Sequence, residues 1–281
     1  MKTQIIIMLV LFTQLSIQVF PQESDLNPKI GSNLETGKYA KIDKIQIYYE
    51  IYGQGTPLLL IHGGLGSIEN FKKCIPTLAD HFKVIAIDSP GHGRSSQTDS
   101  LSYQFLADQI SQFIDFLELD SLYIMGWSDG GVVGLMLANE RSDKIKKLIA
   151  VGANSRLDGI NEEGITWMRN EIIDWSKRDE NWFNHYSSLT PEPEKIDRFV
   201  RNTQKMWLSE IYISEANLKS IKIPTMIVQG DRDGIKIEHG IELFRNIGKS
   251  QLCILPNTSH FVFDERPDLI NGIAIDFFSS K

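Results

Sequence analysis

Residues 122–131 read Leu-Tyr-Ile-Met-Gly-Trp-Ser-Asp-Gly-Gly, and this stretch predicts a buried strand, a sharp turn and a helix in direct succession. Residues 122–125 are apolar enough for a short buried strand, and residues 132–138 have a helical composition. The pattern G-x-S-x-G at such a junction is typical of a nucleophile elbow, in which a strained backbone lifts the serine, here Ser128, clear of the sheet. The alternative is an ordinary tight turn in which Ser128 only caps the helix.

A serine hydroxyl needs a base to become a nucleophile at neutral pH, and the base needs an acid that orients it. His260 is the favoured base, because the apolar run 251–255 predicts a strand and this histidine lies in the loop just past its carboxyl end. His185 and His239 also follow the serine in the chain. They are weaker candidates, because they fall in the middle segment and in a predicted helix.

The acid is expected after another predicted strand, over residues 224–229, which runs into Gly-Asp-Arg-Asp-Gly at 230–234. Side chains alternate in direction as a strand ends, so Asp231 and Asp233 start on the same face and only the loop path separates them. An acid after the preceding strand, near Asp158, is a third option.

A fourth element lies in the loop at 62–66, His-Gly-Gly-Leu-Gly, directly after a predicted strand. An oxyanion hole at such a site takes one backbone N–H from the residue after the nucleophile, Asp129, and one from this loop. Gly64 is the favoured second donor, because glycine lets the backbone approach a substrate carbonyl closely, and Leu65 is the alternative. His62 precedes the nucleophile and is interpreted as a structural residue that holds the loop.

Together these motifs resemble those of the alpha/beta-hydrolase superfamily, specifically its single-domain, lid-bearing branch of esterases, C–C bond hydrolases and non-metal haloperoxidases. The resemblance spans roughly residues 40–279, and the matching pieces occur in the family's order: residues 62–64, 88–95, 126–131, 230–233 and 257–261. It implies a catalytic triad of Ser128, Asp233 and His260, because the second aspartate of the G-D-x-D loop is the acid in this branch. The form Gly-Trp-Ser-Asp-Gly-Gly is also similar to that of valacyclovir hydrolase-like proteins, which implies that Asp129 recognises an amino group on the substrate.

The chain predicts an α/β protein: an alpha/beta-hydrolase fold with a mostly parallel, doubly wound eight-stranded sheet and a helical lid insertion. Predicted strands and helices alternate along the chain, and this alternation indicates right-handed crossovers between parallel strands. After a hairpin over 39–52, the strands are predicted near 57–61, 83–88, 122–127, 146–152, 224–229 and 251–255. The helices are predicted near 69–80, 102–118, 130–139, 236–247 and 267–279.

Residues 156–220 interrupt this alternation, because they are rich in charge and contain no convincing buried strand. The resembled family places its helical lid at this point. The aromatic residues of the segment are expected to pack mostly in the lid's own core, with one or two facing the substrate: Trp167, Trp175, Trp182, Tyr186 and Trp207. Leu65 and Trp127 are the predicted substrate-binding side chains near the nucleophile.

Composition narrows the class of partner. The chain has 281 residues, of which 42% are hydrophobic and 23% charged, as is usual for a soluble globular protein with a sizeable core. A net charge of −7 argues against nucleic acid as a partner. Cys74 and Cys253 are interpreted as buried thiols, and no metal-type cluster of Cys and His is visible. We therefore expect a small-molecule substrate and neither a cofactor nor a metal; the oligomeric state is not indicated.

The amino terminus predicts export. Lys2 precedes an apolar run over 5–12, which is too short to span a bilayer and fits the hydrophobic region of a signal peptide. We expect a signal peptide over residues 1–22, a linker over 23–38 and the hydrolase domain over 39–281, with its lid at about 156–220. The mature protein is then periplasmic or extracellular, without a stable membrane span. A buried first helix or an uncleaved anchor is the alternative.

The expected activity is hydrolysis of a small carboxylic ester by two-step acyl transfer. The same groups also serve amide, C–C bond and lactone hydrolysis and perhydrolysis, which remain alternatives. Epoxide hydrolases and dehalogenases are disfavoured, because in the resembled fold they carry an aspartate at the position of Ser128. A ligand-binding protein on a hydrolase fold is the alternative from another class; the three filled triad positions argue against it.

Overall fold

A computed structural model describes residues 30–33, 35–209 and 213–280 of the chain. Its centre is one eight-stranded sheet in the order β1-β2-β4-β3-β5-β6-β7-β8. The strands are β1 (Lys38–Ile42), β2 (Ile45–Tyr52), β3 (Pro57–Ile61), β4 (Lys83–Ile87), β5 (Leu122–Trp127), β6 (Ile145–Val151), β7 (Thr225–Gly230) and β8 (Ser250–Leu255). Strands β1 and β2 form an antiparallel hairpin, and β2 also pairs antiparallel with β4. All the other neighbouring strands, from β4 to β8 in the sheet order, pair in parallel. The predicted fold class is confirmed.

Helices cover both faces of this sheet, which is why its central strands are apolar runs and not alternating ones. In β3, Leu58 and Leu60 face one layer, whereas Leu59 and Ile61 face the other. The helices are α1 (Ile75–Ala79), α2 (Tyr103–Phe116), α3 (Asp129–Glu140), α4 (Glu162–Asn170), α5 (Ile172–Arg178), α6 (Glu180–Leu189), α7 (Ile196–Leu208), α8 (Glu215–Ser220), α9 (Ile237–Asn246), α10 (Val262–Glu265) and α11 (Pro267–Ser279). Helices α2 and α3 pack in the layer of Leu59, and α1 and α11 in the layer of Leu58.

The helix predicted near 69–80 is wrong as one continuous element. The structure has a short 3-10 helix, Ile68–Phe71, and then the five-residue α1. Pro76 lies in the first turn of α1, where its missing N–H costs nothing, but it cannot continue a helix that arrives from upstream. The chain therefore restarts its helix at this proline.

The segment between β6 and β7 forms the helices α4 to α8, which we call the helical insertion. Its aromatic residues form a continuous series of ring contacts. Ring centroids are 5.8 Å apart for Trp167 and Trp175, 5.0 Å for Trp175 and Trp182, and 5.1 Å for Trp182 and Tyr186. Most of the insertion's aromatic residues thus pack against one another, and Trp207 joins the series through Trp167 at 6.3 Å.

The predicted signal peptide lies outside the described residues. Of the predicted linker, residues 30–33 and 35–38 are described. Lys38 already begins β1, and the other described residues form no helix or strand but are attached to the sheet. Ile30 is buried, and the N–H groups of Gly31 and Asn33 donate to the buried carboxylate of Glu50 at 2.8 and 2.9 Å. None of the helices in the described ranges is long and apolar enough to cross a membrane.

Candidate active site

The turn after β5 has the geometry of a nucleophile elbow. Ser128 has φ +53° and ψ −119°, a conformation that L-residues rarely adopt, and α3 begins at the next residue. A Cβ at Gly126 would collide with the carbonyl of Gly130, and a Cβ at Gly130 would collide with that of Ile61 in β3. The Ser128 side chain makes no capping hydrogen bond, so the capping alternative does not describe this serine.

The candidate acid and base follow the next strands of the sheet, because the carboxyl ends of parallel strands meet at one edge. Ser128 follows β5, Asp233 follows β7 and His260 follows β8. The order β5-β6-β7-β8 brings these three residues to the lining of the same cavity.

Asp233 and His260 form a hydrogen-bonded pair. Nδ1 of His260 lies 2.8 Å from Oδ1 of Asp233, which also accepts the Ile235 N–H at 3.0 Å. A carboxylate only accepts, so Nδ1 carries the proton and Nε2 is left as the basic nitrogen. Burial lowers the pKa of His260, but the hydrogen bond and charge of Asp233, with the charge of Asp129, raise it above its usual value overall. The arrangement favours an imidazole that gains a proton.

The competing acids serve other contacts. Oδ1 of Asp231 accepts the N–H of Thr258 at 3.1 Å, and hydrogen bonds from the backbone at Thr258 and Asn257 lower the pKa of Asp231. It thereby fixes the loop that carries His260. Asp158 lies 2.6 Å from Nε of Arg156 and makes an ion pair.

The competing histidines are also engaged away from the serine. His239 is buried, and its Nε2 accepts the Ser155 N–H at 3.0 Å. His185 lies on α6, where its Nε2 is 2.7 Å from a carboxylate oxygen of Glu69. Neither histidine lines the cavity that holds Ser128.

The glycine-rich loop after β3 lies against the elbow. A Cβ on Gly63 would lie 2.9 Å from the Ser128 Cβ, and one on Gly64 would collide with the carboxylate of Asp129. Leu65 is buried and has φ +57°, so the loop makes its turn at this residue. The Asp129 N–H belongs to the first turn of α3 and has no partner within the helix. Gly63 thus lies beside the serine, and Gly64, the predicted second oxyanion donor, lies against the side chain of Asp129.

His62 ties this loop to the next one. Its Nδ1 lies 2.6 Å from the Gly63 carbonyl, and its Nε2 accepts the Ser89 N–H at 2.9 Å. Burial lowers the pKa of His62 to about 3, so the ring is neutral at physiological pH. Its Nε2 is the acceptor, and its Nδ1 carries the proton that is donated to the Gly63 carbonyl. This is the holding role that the sequence predicts for His62.

The carboxylate of Asp129 is buried and held by two neutral donors. Tyr103 Oη donates to Oδ1 at 2.6 Å, and the Trp207 indole donates to Oδ1 and Oδ2 at 3.0 and 2.8 Å. Burial raises the pKa of Asp129, although the hydrogen bonds from Tyr103 and Trp207 act in the opposite direction. No arginine or lysine takes part in these contacts of Asp129.

The cavity in front of Ser128 has a volume of about 700 Å³, which suits a small-molecule substrate. The lining comes from three parts of the fold. The residues that follow the strands are Ser128, Asp129, Asn154, Arg232, Asp233, Gly234, Ile235 and His260, and α2 contributes Tyr103. The rest belong to the helical insertion and the residues that lead into it: Ile160, Asn161, Glu162, Glu163, Gly164, Thr166, Trp167, Met168, Glu171 and Trp207. Within the described ranges, no group of three or more His, Cys, Asp or Glu side chains is arranged to hold a metal ion.

Leu65 and Trp127, the predicted substrate-binding side chains, are not part of this lining. The Trp127 indole instead donates to the His260 carbonyl at 2.9 Å, and its ring centroid lies 5.6 Å from that of the imidazole. Its neighbour Phe261 packs on the same indole at 5.9 Å. Trp127 is therefore placed behind His260, where it fixes the loop that carries this histidine.

Sequence reasoning missed three residues of the site: Gly152, Asn154 and Tyr103. Gly152 follows β6 with φ +57°, and a Cβ there would lie 2.9 Å from His260 Cε1 and 3.2 Å from Asp233 Oδ2. The sequence feature that could have indicated Gly152 is its position directly after β6, the strand that neighbours β5. Tyr103 carried no local signal, because only the tertiary fold brings α2 to the elbow.

Comparisons with known proteins agree with this geometry. A family model described as alpha/beta hydrolase fold matches residues 56–188. The chain is 25% identical to a 2-hydroxy-6-oxononadienedioate/2-hydroxy-6-oxononatrienedioate hydrolase of Comamonas testosteroni over 92% of this chain and 99% of that protein, and 27% identical to the human serine hydrolase BPHL over 88% and 87%. A crystal structure of the meta-cleavage product hydrolase CumD superposes with a TM-score of 0.73 at 25% identity, covering 88% of this chain and 99% of that one.

Fold, motif order and relatives therefore agree, and the chain belongs to the alpha/beta-hydrolase superfamily.

Proposed function

We propose that this hydrolase is a serine hydrolase that cleaves a small carboxylic ester through an acyl-enzyme. The observation that carries the proposal is the Asp233–His260 pair at 2.8 Å, which lines the same cavity as the strained serine Ser128. An imidazole held in this tautomer, in the cavity that a half-buried serine also lines, is the arrangement that acyl transfer requires.

In the first step, Ser128 Oγ attacks the substrate carbonyl carbon while His260 Nε2 takes the hydroxyl proton. Asp233 holds the imidazole through Nδ1 and stabilises the imidazolium. The N–H groups of Asp129 and Gly64 stabilise the oxyanion of the tetrahedral intermediate. His260 then protonates the leaving alcohol, and the acyl-enzyme forms. Water, deprotonated by the same nitrogen, attacks the acyl-enzyme and releases the acid with a free serine.

The relatives supply the main alternative on the same triad. The Comamonas protein is named a hydrolase of 2-hydroxy-6-oxo-dioic acids, which are anions at neutral pH. The cavity here carries carboxylates at Asp129, Glu162, Glu163 and Glu171 outside the acid–base pair, against the single arginine Arg232. Negative walls oppose an anionic substrate, so we favour esters that are neutral or cationic over such acids.

A ligand-binding protein on this fold would keep the cavity without turnover. The hydrogen-bonded pair of Asp233 and His260 argues against this alternative, because a receptor has no need of a buried carboxylate that fixes the tautomer of a histidine. Turnover of p-nitrophenyl acetate and butyrate, with labelling by a fluorophosphonate, separates the two functions.

Ser128→Ala tests the proposal directly. We expect kcat for p-nitrophenyl butyrate to fall by about 10⁴- to 10⁶-fold and fluorophosphonate labelling to disappear, because the attacking oxygen is removed. Ser111→Ala, at a half-buried serine of α2 that accepts a hydrogen bond from Arg141 and lies outside the cavity lining, serves as the control for an unrelated serine. Activity within tenfold of wild type in Ser128→Ala would rule out the serine mechanism.

The two aspartates of the Asp231-Arg232-Asp233 loop are distinguished by Asp233→Asn and Asp231→Asn. We expect Asp233→Asn to lower kcat by about 10⁴-fold, because an amide at this position holds the imidazole in the wrong tautomer. Asp231→Asn should retain most of kcat, since Asp231 accepts hydrogen bonds from the loop backbone at Thr258 and Asn257 and makes no hydrogen bond to the imidazole. The assignment of the acid reverses if Asp231→Asn proves the more damaging of the two.

Gly152→Ala tests how closely β6 must approach the acid–base pair. The new methyl group would lie 2.9 Å from His260 in a backbone conformation that alanine adopts at a cost of about 1 kcal/mol. We expect kcat to fall by about 10²-fold, since displacement of a catalytic group by even a fraction of an ångström is expensive. Gly272→Ala, where a Cβ meets open space, is the matched control and should leave kcat unchanged. Equal activity of the two variants would contradict the close approach.

The charge of the cavity predicts a substrate preference. We expect amino-acid benzyl esters with a free amine to show a kcat/KM about tenfold or more above that of their N-acetylated forms, because a cation gains from a poorly compensated buried carboxylate. Asp129→Ala should remove most of this preference, and Glu163→Gln, at the exposed rim, much less. A wild type that prefers the N-acetylated ester, or an Asp129→Ala variant that keeps the free-amine preference, would exclude this role of Asp129.

A further inference from the structure

One side chain of the helical insertion reaches both expected oxyanion donors. Trp207, near the carboxyl end of α7, donates its indole N–H to the two carboxylate oxygens of Asp129 at 3.0 and 2.8 Å. The same ring lies against Gly64, where an added Cβ would collide with it. Through Trp207, the helical insertion thus contacts both Asp129, the residue after the nucleophile, and Gly64 in the loop after β3.

Asp129 needs this contact because its carboxylate is buried at 5% exposure and cannot be solvated by bulk water. Its donors come from two separate parts of the fold: Tyr103 from α2 in the core, and Trp207 from the insertion. Loss of either donor leaves a buried charged group with an unmet hydrogen bond, which is costly. The side chain then reorients or takes up a proton, and the first turn of α3, which carries the Asp129 N–H, moves with it.

We propose that Trp207 is a positioning residue for the oxyanion hole, so that the hole reaches its working geometry only when α7 is docked on the elbow. This inference rests on the serine hydrolase mechanism proposed above. Trp207 acts through Asp129 and Gly64 and need not touch the reacting atoms.

The remaining contacts of α7 make it possible to remove this hydrogen bond alone. Phe199, two turns earlier on α7, stacks on Tyr186 at 5.1 Å and meets His92 edge-on at 4.8 Å. Asn202 of the same helix donates to the Asp99 carbonyl at 3.0 Å. The substitution Trp207→Phe therefore keeps an aromatic ring on Gly64 and keeps α7 attached to the core, but it deletes the N–H.

An oxyanion hole acts on the transition state and hardly on the bound substrate. We expect Trp207→Phe to lower kcat for p-nitrophenyl acetate by about 10- to 100-fold with KM within about threefold of wild type. Affinity for a trifluoromethyl ketone, which forms the tetrahedral adduct, should fall in parallel with kcat/KM. Because p-nitrophenyl acetate is neutral, the test does not depend on any preference for cationic esters.

The matched control is Trp182→Phe. Trp182 belongs to the same aromatic series of the helical insertion, where its ring packs on Trp175 and Tyr186, but it lies outside the cavity lining and has no hydrogen bond to Asp129. Its kcat should stay near wild type, whereas Tyr103→Phe, which removes the other donor to Asp129, should resemble Trp207→Phe. Thermal unfolding of each variant shows whether it remains folded.

A double-mutant cycle with Asp129→Ala separates positioning from ring packing. If Trp207 acts through the carboxylate, Trp207→Phe costs little further kcat once Asp129 is alanine. An equal cost in both backgrounds, or equal kcat for Trp207→Phe and Trp182→Phe, overturns the inference. Failure of the proposed function looks different: the wild type then shows no turnover, or Ser128→Ala keeps it.

Discussion

The catalytic edge of this protein depends on one constraint, the backbone conformation of Ser128. A residue with a side chain is held at φ +53° by a turn too tight for side chains on either side, at a cost on the order of 1–3 kcal/mol. Gly126 and Gly130 make that turn possible, and Gly130 in turn lies against a carbonyl of β3. Because β5 pairs with β3 on one side and β6 on the other, the turn cannot relax sideways without breaking both ladders.

The rest of the site follows from this anchored turn and from the parallel register of its neighbours. Strands β6, β7 and β8 end at the same edge as β5, so the loops after them meet in front of the serine. They approach so closely that the residue after β6 has to be Gly152, with its backbone beside both Asp233 and His260. Asp231 accepts the Thr258 N–H and the Trp127 indole donates to the His260 carbonyl, so both residues hold the loop that carries the imidazole.

Features that depend on local pattern could be predicted from the sequence, and features that depend on distant partners could not. The elbow was predictable because glycine spacing, strand and helix are all local to Ser128, and the alternation of strands and helices predicted a mostly parallel sheet. The break at Pro76 was missed because hydrophobic periodicity outweighed the proline. The partners of Asp129 could not be predicted, since Tyr103 and Trp207 lie 26 and 78 residues away and carry no motif. Trp127 was predicted to bind substrate because it neighbours the nucleophile in the sequence. In the structure its indole contacts His260 and is not part of the cavity lining.

Asp129 combines two electrostatic effects that oppose each other at first sight. In the proposed mechanism its N–H stabilises the oxyanion, whereas its carboxylate would repel that charge. The carboxylate also helps to raise the pKa of His260, and so favours the imidazolium that forms at the same moment. Tyr103 and Trp207 satisfy hydrogen bonds of this carboxylate without neutralising its charge, because both donors are neutral. The wall of the cavity thus remains acidic, and we expect this charge, more than a triad that relatives can share, to decide which substrates bind.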